Sequence, residues 1–367
     1  MGKKRFFDDR LKYLSFIQNT SEKKAISLKL YPHIAGLSQN KSYIRILDAG
    51  TGDGTIKSNV IKSFHRYHPY TSLLITGKEI SYEDLKNTLE KMPDRFVEHP
   101  NLMVTMTNVK FAELGLVENS TKIKNKKVKE FNLILKSDNS FDFHSQITGN
   151  TLGNFIKKNW GIEIDSKSRT SYSNPCIIRV YREDNEKHLK QFIKNDYKNN
   201  NYDLIIASQA YRAASSVGVK VNNVIGPLMR LLNKSGKLLV THSSGGESIQ
   251  KILKMAFKDK EAFPNTAKDI IDYLKDNPVG ENNKYNYAKP LNYFFNFKKA
   301  PDQTVTELFG HNTDAKWANI VYVGQIPDKD IQNLEKNTRL HNKVRKAIDN
   351  AGEIQFKNEI FSIKKTR

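Results

Sequence analysis

The chain has 367 residues, of which 60 are Lys or Arg and 39 are Asp or Glu, so its formal net charge is +21. This length predicts a core domain with substantial insertions, and no apolar run approaches the ~20 residues that a membrane-spanning helix needs. The single cysteine, Cys176, excludes an internal disulfide and a cysteine-rich metal site, and because the basic amino terminus lacks the apolar core of a secretory signal, we expect a cytoplasmic protein.

The excess of positive charge has two interpretations. A surplus of Lys and Arg is typical of proteins that bind nucleic acid or an anionic surface. The chain is also rich in Asn and Ile beside Lys, a bias that an AT-rich coding sequence produces without any polyanionic partner. Since no zinc-finger or RNA-binding signature accompanies the basic residues, nucleic acid is the less favoured partner.

The most informative segment is a glycine loop that follows a predicted buried strand at residues 43–47. The loop carries one acidic residue and three glycines at alternate positions: Asp48, Gly50, Gly52 and Gly54. A helical pattern follows at residues 55–64. Glycines allow a ligand to approach the backbone, and we expect the amides of the loop and of the helix N-terminus to be free to contact it. The spacing does not meet the G-x-G-x-x-G dinucleotide fingerprint, because position 55 is Thr.

Further apolar strands are predicted downstream at 72–76, 102–106 and 202–208, and a helix end, glycine turn and fifth strand at 231–241. Glu79 follows the second strand, about 20–30 positions past the glycine loop, where a Rossmann-like site holds ribose hydroxyls. Its alternative role is a solvated carboxylate at a helix start. The order of elements predicts an α/β fold with a doubly wound sheet.

A long insertion, residues 112–200, interrupts the predicted sheet order. Strands are predicted at 131–135 and 176–181, and helices at 151–160 and 185–195. We interpret the insertion as a lid or subdomain on the ligand side of the sheet, although a decorative or assembly element fits equally well. It contains the clearest basic cluster of the chain: Lys122, Lys124, Lys126, Lys127 and Lys129.

The C-terminal region carries an aromatic-rich stretch at 285–297, which we interpret as a strand packed over the ligand pocket, with a nucleic-acid stacking platform as the alternative. Residues 317–323 predict a buried strand, 331–351 a long amphipathic helix and 353–363 a final strand. The predicted organisation therefore has four parts. A helical N-terminal substrate or cap segment covers 1–40, and the core covers 41–111 together with 201–257. The insertion covers 112–200, and a C-terminal extension with the last core strands covers 258–367.

The D-x-G-x-G-x-G loop resembles motif I of class I S-adenosylmethionine-dependent methyltransferases, and the chain is similar to the histamine N-methyltransferase type. The resemblance covers residues 10–110 and 202–257, and it is strongest in five segments: 16–22, 44–54, 79–83, 203–209 and 238–245. It implies a Rossmann-like methyltransferase sheet, S-adenosylmethionine as cofactor and a small-molecule amine as substrate. It also implies a closing hairpin, for which 317–323 and 354–363 are the predicted strands.

The resemblance implies two sets of site residues. The cofactor set is Asp48, Gly50, Gly52, Asp53, Gly54, Glu79, Asp84, Asn108 and Ser208. The substrate set is Glu22, Gln209, Tyr211, Arg212 and Asn358, of which Glu22, Gln209 and Asn358 orient the methyl acceptor. An amide side chain accepts a hydrogen bond and so orients a neutral amine, while a carboxylate pairs with a distal ammonium. No metal is expected, since no His/Asp/Glu cluster has ligand spacing.

Two departures from that family bear on the substrate. Most of its aromatic amine pocket is missing here, and Arg212 adds a positive charge that disfavours a cationic amine. The sequence therefore predicts methyl transfer by in-line displacement to a histamine-like or amino-acid-derived amine whose carboxylate meets Arg212. The alternative is an RNA or protein methyltransferase that holds its substrate with the basic insertion.

Overall fold

A computed structural model describes residues 10–117, 120–164, 170–196, 201–280, 284–297 and 312–366. Fourteen strands lie within these ranges: β1 Tyr43–Ala49, β2 Ser72–Lys78, β3 Leu102–Thr107, β4 Lys122–Ile123, β5 Lys126–Lys127, β6 Lys129–Leu135, β7 Ile162–Ile164, β8 Thr170–Tyr172, β9 Cys176–Arg182, β10 Tyr202–Ser208, β11 Leu232–Gly245, β12 Tyr285–Tyr287, β13 Leu291–Asn296 and β14 Gln355–Lys365.

The helices in the same ranges are α1 Arg10–Asn19, α2 Glu22–Ala35, α3 Thr55–Tyr67, α4 Tyr82–Glu90, α5 Pro93–Glu98, α6 Leu114–Val117, α7 Ser140–Ile147, α8 Asn150–Asn159, α9 Glu186–Asp196, α10 Val217–Lys220, α11 Gly226–Arg230, α12 Glu247–Ala256, α13 Ala267–Asp276, α14 Asn312–Val323, α15 Asp328–Lys336 and α16 Thr338–Asn350. A π-helical segment, Val221–Ile225, joins α10 to α11.

One mixed sheet organises the described residues, with the strand order β12-β14-β11-β10-β1-β2-β3-β9-β6 and β13 also paired with β14. Strand β1 runs parallel to both β2 and β10, so the strand order reverses beside β1. The carboxyl ends of strands next to such a reversal form the crevice in which open α/β sheets bind ligands. The predicted doubly wound, Rossmann-like fold is confirmed.

Alternate side chains of the central strands point to opposite faces of the sheet, as the pleat requires. Ile44 and Ile46 of β1 join a cluster with buried residues of α2, α3 and α4. Leu47 of the same strand joins a second cluster, with residues of α11 and α13. Because both faces are covered by helices, these strands are apolar on both sides, which is the continuous pattern that the sequence shows.

The insertion adds strands to the sheet beyond β3. Strand β9 pairs antiparallel with β3, from Met103 opposite Tyr181 to Thr107 opposite Ile177, and β6 pairs parallel with β9. The expected strands and helices of the insertion are present, but their sideways extension of the sheet was not predicted from the sequence. A lid role for the insertion stays a prediction.

The C-terminal region differs from the sequence prediction. Residues 317–323 form the end of helix α14 and not a strand, because Trp317, Ile320 and Val321 share one helical face and are buried against α12 and α16. The predicted helix 331–351 is two helices, α15 and α16. The predicted hairpin of 317–323 with 354–363 is therefore wrong, and β12 and β13 pair with β14 in its place. In the described part of the chain, helices of sufficient length and apolarity to span a bilayer are not found.

Candidate active site

The glycine loop between β1 and α3 adopts a backbone that only glycine adopts readily. The φ angles are +112° at Gly50, +57° at Gly52 and +78° at Gly54. A side chain at two of these positions would also meet its neighbours: a Cβ on Gly54 would lie 2.7 Å from the Cα of Thr88 in α4, and one on Gly52 2.3 Å from the Tyr13 hydroxyl. The alternate glycines therefore let α1 and α4 close on the loop.

The loop amides do not have the freedom that was expected of them. The Gly52 amide donates to Oε2 of Glu79 at 2.8 Å, and the Asp53 amide donates to the Tyr13 hydroxyl at 3.2 Å. The Thr51 amide donates to the carbonyl of Lys78 at 3.0 Å. The expectation of free loop amides is corrected accordingly: in this structure the loop contributes shape and close approach, while its donors hold the ends of β1 and β2 together.

Glu79 lies at the end of β2, facing the loop, and is 9% exposed. Its Oε1 accepts the amides of Ile80 and Ser81, both at 2.8 Å, and its Oε2 accepts the Gly52 amide. A carboxylate has about four acceptor sites, so one acceptor site remains for a ligand hydroxyl. Because three amides fix its orientation, Glu79 is a preorganised acceptor.

Nζ of Lys57, beneath the loop, is buried without a hydrogen-bond partner among the described residues, and so are two atoms beside the loop: Oδ2 of Asp48 and the hydroxyl of Ser208. These last two lie at the carboxyl ends of the parallel neighbours β1 and β10. Burial raises the pKa of Asp48, and the lysine beneath the loop, Lys57, opposes this. Burial in turn lowers the pKa of Lys57 to about 8. Unsatisfied buried polar atoms at this edge point to a ligand that satisfies them.

The remaining cofactor candidates are placed differently. Both ends of the Asn108 carboxamide are used: Nδ2 donates to the Asn174 carbonyl and Oδ1 accepts the Cys176 amide, each at 2.9 Å. Asn108 therefore holds β3 to β9 and is left out of the proposed cofactor site. Asp84 is buried in the first turn of α4, and Asp53 lies in the loop with its Oδ2 3.5 Å from Lys91 Nζ.

The N-terminal segment is anchored to the end of strand β13. Thr20 forms a bridge with Phe297, and Ser21 exchanges backbone and side-chain hydrogen bonds with Asn296, at the end of β13. Helix α2 begins at the next residue, Glu22, whose side chain is almost fully buried. The apolar face of α2 packs with α3 against the central strands, and this fixes the position of the Glu22 carboxyl group.

A polar network joins the three predicted acceptor-orienting residues. Asn358 Nδ2 donates to the Tyr293 hydroxyl at 3.0 Å. Burial raises the pKa of the Glu22 carboxyl, and Lys23 and the neighbouring Asn358 side chain oppose this. Thr241 lies close enough to the Tyr293 phenol to influence its pKa, and its Oγ1 accepts the backbone amide of Gln209 at 3.1 Å. The structure thus places Glu22, Asn358 and Tyr293 together and holds the backbone of Gln209 next to them through Thr241.

The backbone is strained where the network meets β10. Gln209 has a φ of +52°, in the left-handed region that non-glycine residues seldom occupy. Strained residues of this kind cluster at functional sites. Two residues further on, Tyr211 has a buried hydroxyl without a partner among the described residues, and burial, Glu359 and Tyr293 raise the pKa of that phenol. Arg212, in contrast, is exposed and is left out of the proposed pocket.

Three residues of the site were missed in the sequence: Tyr13, Thr241 and Tyr293. Tyr293 lies in the aromatic stretch that we expected to cover the pocket. The aromatic and polar residues of that stretch were the available signal in the sequence. Burial and the Glu22 carboxylate raise the pKa of the Tyr293 phenol, so it remains a neutral donor and acceptor. Among the residues described by the structure, no group of three or more His, Cys, Asp or Glu side chains is arranged to hold a metal ion.

The chain matches no protein-family model, and no curated protein matches it in sequence. Among solved structures it is similar to a geranyl diphosphate methyltransferase in complex with GPP and sinefungin, with 7% identity, a TM-score of 0.37 and coverage of 94% of this chain and 77% of that one. A SAM-dependent methyltransferase from Archaeoglobus fulgidus has 12% identity, a TM-score of 0.30 and 94% coverage of both chains. A Haemonchus contortus phosphoethanolamine N-methyltransferase 2 has 12% identity and a TM-score of 0.35, with 92% of this chain and 51% of that one covered. Similarities this low say nothing about the ligand or substrate of this chain.

Proposed function

We propose that this protein is an S-adenosylmethionine-dependent methyltransferase that methylates a small amine-bearing molecule. The observation that carries the proposal is the continuity of the site along one edge of the sheet. The glycine loop and Glu79 lie at the carboxyl ends of β1 and β2, and Asn358 lies opposite the carboxyl end of β11, at the same edge of the sheet but across the strand-order reversal. Two ligands that must react with each other need adjoining sites of this kind.

The cofactor side fits a nucleotide-type ligand. Glu79 is held by three amides with an acceptor site remaining for a ribose hydroxyl, and Gly50, where a Cβ would meet no atom nearer than 3.9 Å, leaves room for close approach. Asp48 and Ser208 add unsatisfied polar atoms at the same edge. When bound, S-adenosylmethionine supplies both the methyl group and the leaving group, so the protein needs chiefly to position the acceptor.

The acceptor side fits a molecule that carries an N–H group. Oδ1 of Asn358 is a buried acceptor without a partner among the described residues, while Nδ2 of the same side chain is held by Tyr293. A buried acceptor left unpaired costs about 1–3 kcal/mol, and an amine N–H would satisfy it while its lone pair stays free to react. Glu22 lies beside Asn358, and the Gln209 backbone is held at the edge of this cluster by Thr241, so we expect both side chains to restrict the orientation of the amine.

The macromolecular alternative has less support in the structure. Lys124 lies 2.7 Å from Glu113, and Lys126 lies 2.9 Å from Glu163. Part of the charge of the basic cluster is therefore compensated within the insertion and does not add to attraction for phosphate groups. The small-molecule assignment is accordingly the one that we propose.

The direct test is transfer of a radiolabelled methyl group from S-adenosylmethionine to pooled metabolites, total RNA and total protein in separate reactions. We expect the label in a small amine. Label confined to RNA, together with RNA affinity that falls steeply with salt concentration, would replace the proposal by the macromolecular alternative. Calorimetry with the cofactor alone is the companion measurement, and failure to bind would remove the methyltransferase assignment altogether.

Two substitutions separate the cofactor side from the acceptor side. Gly52→Leu places a branched side chain where even a Cβ would lie 2.3 Å from the Tyr13 hydroxyl, at a φ of +57°, so we expect loss of cofactor binding. Gln209→Ala leaves the loop intact and should preserve cofactor affinity within about twofold while lowering turnover by roughly tenfold or more. Gln332→Ala, on the exposed surface of α15, is the matched control and should change neither quantity.

A further inference from the structure

A lysine lies between the two halves of the proposed site. Lys23 is the second residue of α2, and its side chain is only 17% exposed. Its ammonium nitrogen lies 3.8 Å from Oε2 of Glu22 and 5.8 Å from the centre of the Tyr13 ring. The Tyr13 hydroxyl in turn accepts the Asp53 amide of the glycine loop. Lys23 thus connects the acceptor network to the cofactor loop.

The surroundings of this lysine are negatively charged. Burial by itself lowers the pKa of Lys23, but the Tyr13 phenol and the carboxylates of Glu22, Asp53 and Asp48 together raise it above its usual value. The ammonium is therefore fully charged at neutral pH. Asp53 has a second cation nearby in Lys91, whereas the described contacts of Glu22 include no lysine or arginine other than Lys23.

We propose that Lys23 sets the charge preference of the site, weakening the binding of a positively charged methyl donor relative to its neutral thioether product. The proposal rests on the proposed function, because it concerns the same cofactor. Three carboxylates of the site would favour a cation, and two of them already have a lysine nearby: Lys57 for Asp48 and Lys91 for Asp53. Glu22 has Lys23. Lys23 supplies that cation from within the chain, so a bound sulfonium gains less from the carboxylates and is also repelled by the ammonium.

The same arrangement bears on the substrate. Glu22 is already paired with Lys23, so its carboxylate is not available to a distal ammonium without displacing an internal ion pair. A substrate whose amine is neutral and whose remaining charge is zero or negative meets no such competition. Lys23 therefore selects against polyamine-like and other dicationic acceptors, which the sequence-based role of Glu22 would have favoured.

The test is the ratio of affinities for S-adenosylmethionine and S-adenosylhomocysteine, measured by calorimetry on the full chain. Lys23→Met keeps the length of the apolar stem and removes the charge, and we expect the ratio to shift toward the sulfonium by roughly tenfold, as a unit charge in a partly buried site produces. Lys23→Arg keeps the charge and should retain the ratio of the original protein. Lys24→Met, the exposed neighbour on the same helix, removes an identical charge and should also leave the ratio unchanged.

The outcomes are distinguishable. If the original protein binds neither ligand, the proposed function fails and this inference fails with it. If both ligands bind and Lys23→Met leaves their ratio within twofold, the inference alone is overturned. It is also overturned if Lys23→Arg shifts the ratio as far as Lys23→Met does, because the side-chain shape and not the charge would then be responsible.

Discussion

Tyr293 connects the two sides of the acceptor network, and its hydroxyl group can be removed with little change of shape. Tyr293→Phe deletes the acceptor of Asn358 Nδ2, at 3.0 Å. Each lost hydrogen bond is worth about 1 kcal/mol net. We therefore expect the free energy of unfolding to fall by about 1 kcal/mol, because one buried hydrogen bond is lost while Thr241 keeps the Gln209 backbone amide as its partner.

The assay is urea unfolding monitored by circular dichroism, combined with the rate at which the amine substrate is methylated. Turnover should fall by roughly tenfold while cofactor affinity is retained, because the loop and Glu79 are untouched. Tyr287→Phe, at a half-buried position of β12, is the matched control and should change stability by less than about 0.5 kcal/mol. If Tyr293→Phe resembles this control in both stability and turnover, the network does not orient the acceptor and the reasoning is refuted.

Two further predictions concern folding. Gly54→Ala should destabilise the protein by about 2 kcal/mol or more, since its Cβ would lie 2.7 Å from the Cα of Thr88 at a φ of +78°. Gly153→Ala in α8, where a Cβ meets nothing within 4 Å, is the control and should stabilise the protein slightly. Equal urea midpoints for the two variants would contradict this prediction. Burial holds the pKa of His242 at about 4, below its ordinary 6.5. The unfolded chain therefore binds more protons between these values, so stability is complete above pH 6.5 and is lost as the pH falls toward 4. His242→Gln preserves a donor to the Asn265 carbonyl and should reduce that acid-induced loss by about 3 kcal/mol; parallel pH profiles of the urea midpoint would show that His242 is not responsible.

The sequence by itself determined the part of the fold that depends on local pattern. Strands β1, β2, β3 and β10 are predominantly apolar, because both faces of the sheet are covered by helices, and such runs are recognisable without any partner. The glycine loop was equally readable, since its alternate glycines correspond to three positive φ angles. In the C-terminal region the same reasoning failed at 317–323, where a short apolar run fits a strand or one face of a helix, and packing against α12 and α16 decided the matter.

Only the tertiary structure decided which distant polar groups meet. Tyr293 faces Asn358 because β13 pairs with β14 in the register that places these two residues opposite each other. Glu22 and Lys23 reach the same place because Ser21 is bonded to Asn296, 275 positions away in the chain. Strand register and the docking of a remote segment are set by the sum of many long-range contacts, so no local pattern carries them. For the same reason the loop amides, which the sequence left free, are bonded to Glu79 and Tyr13 once the chain has folded.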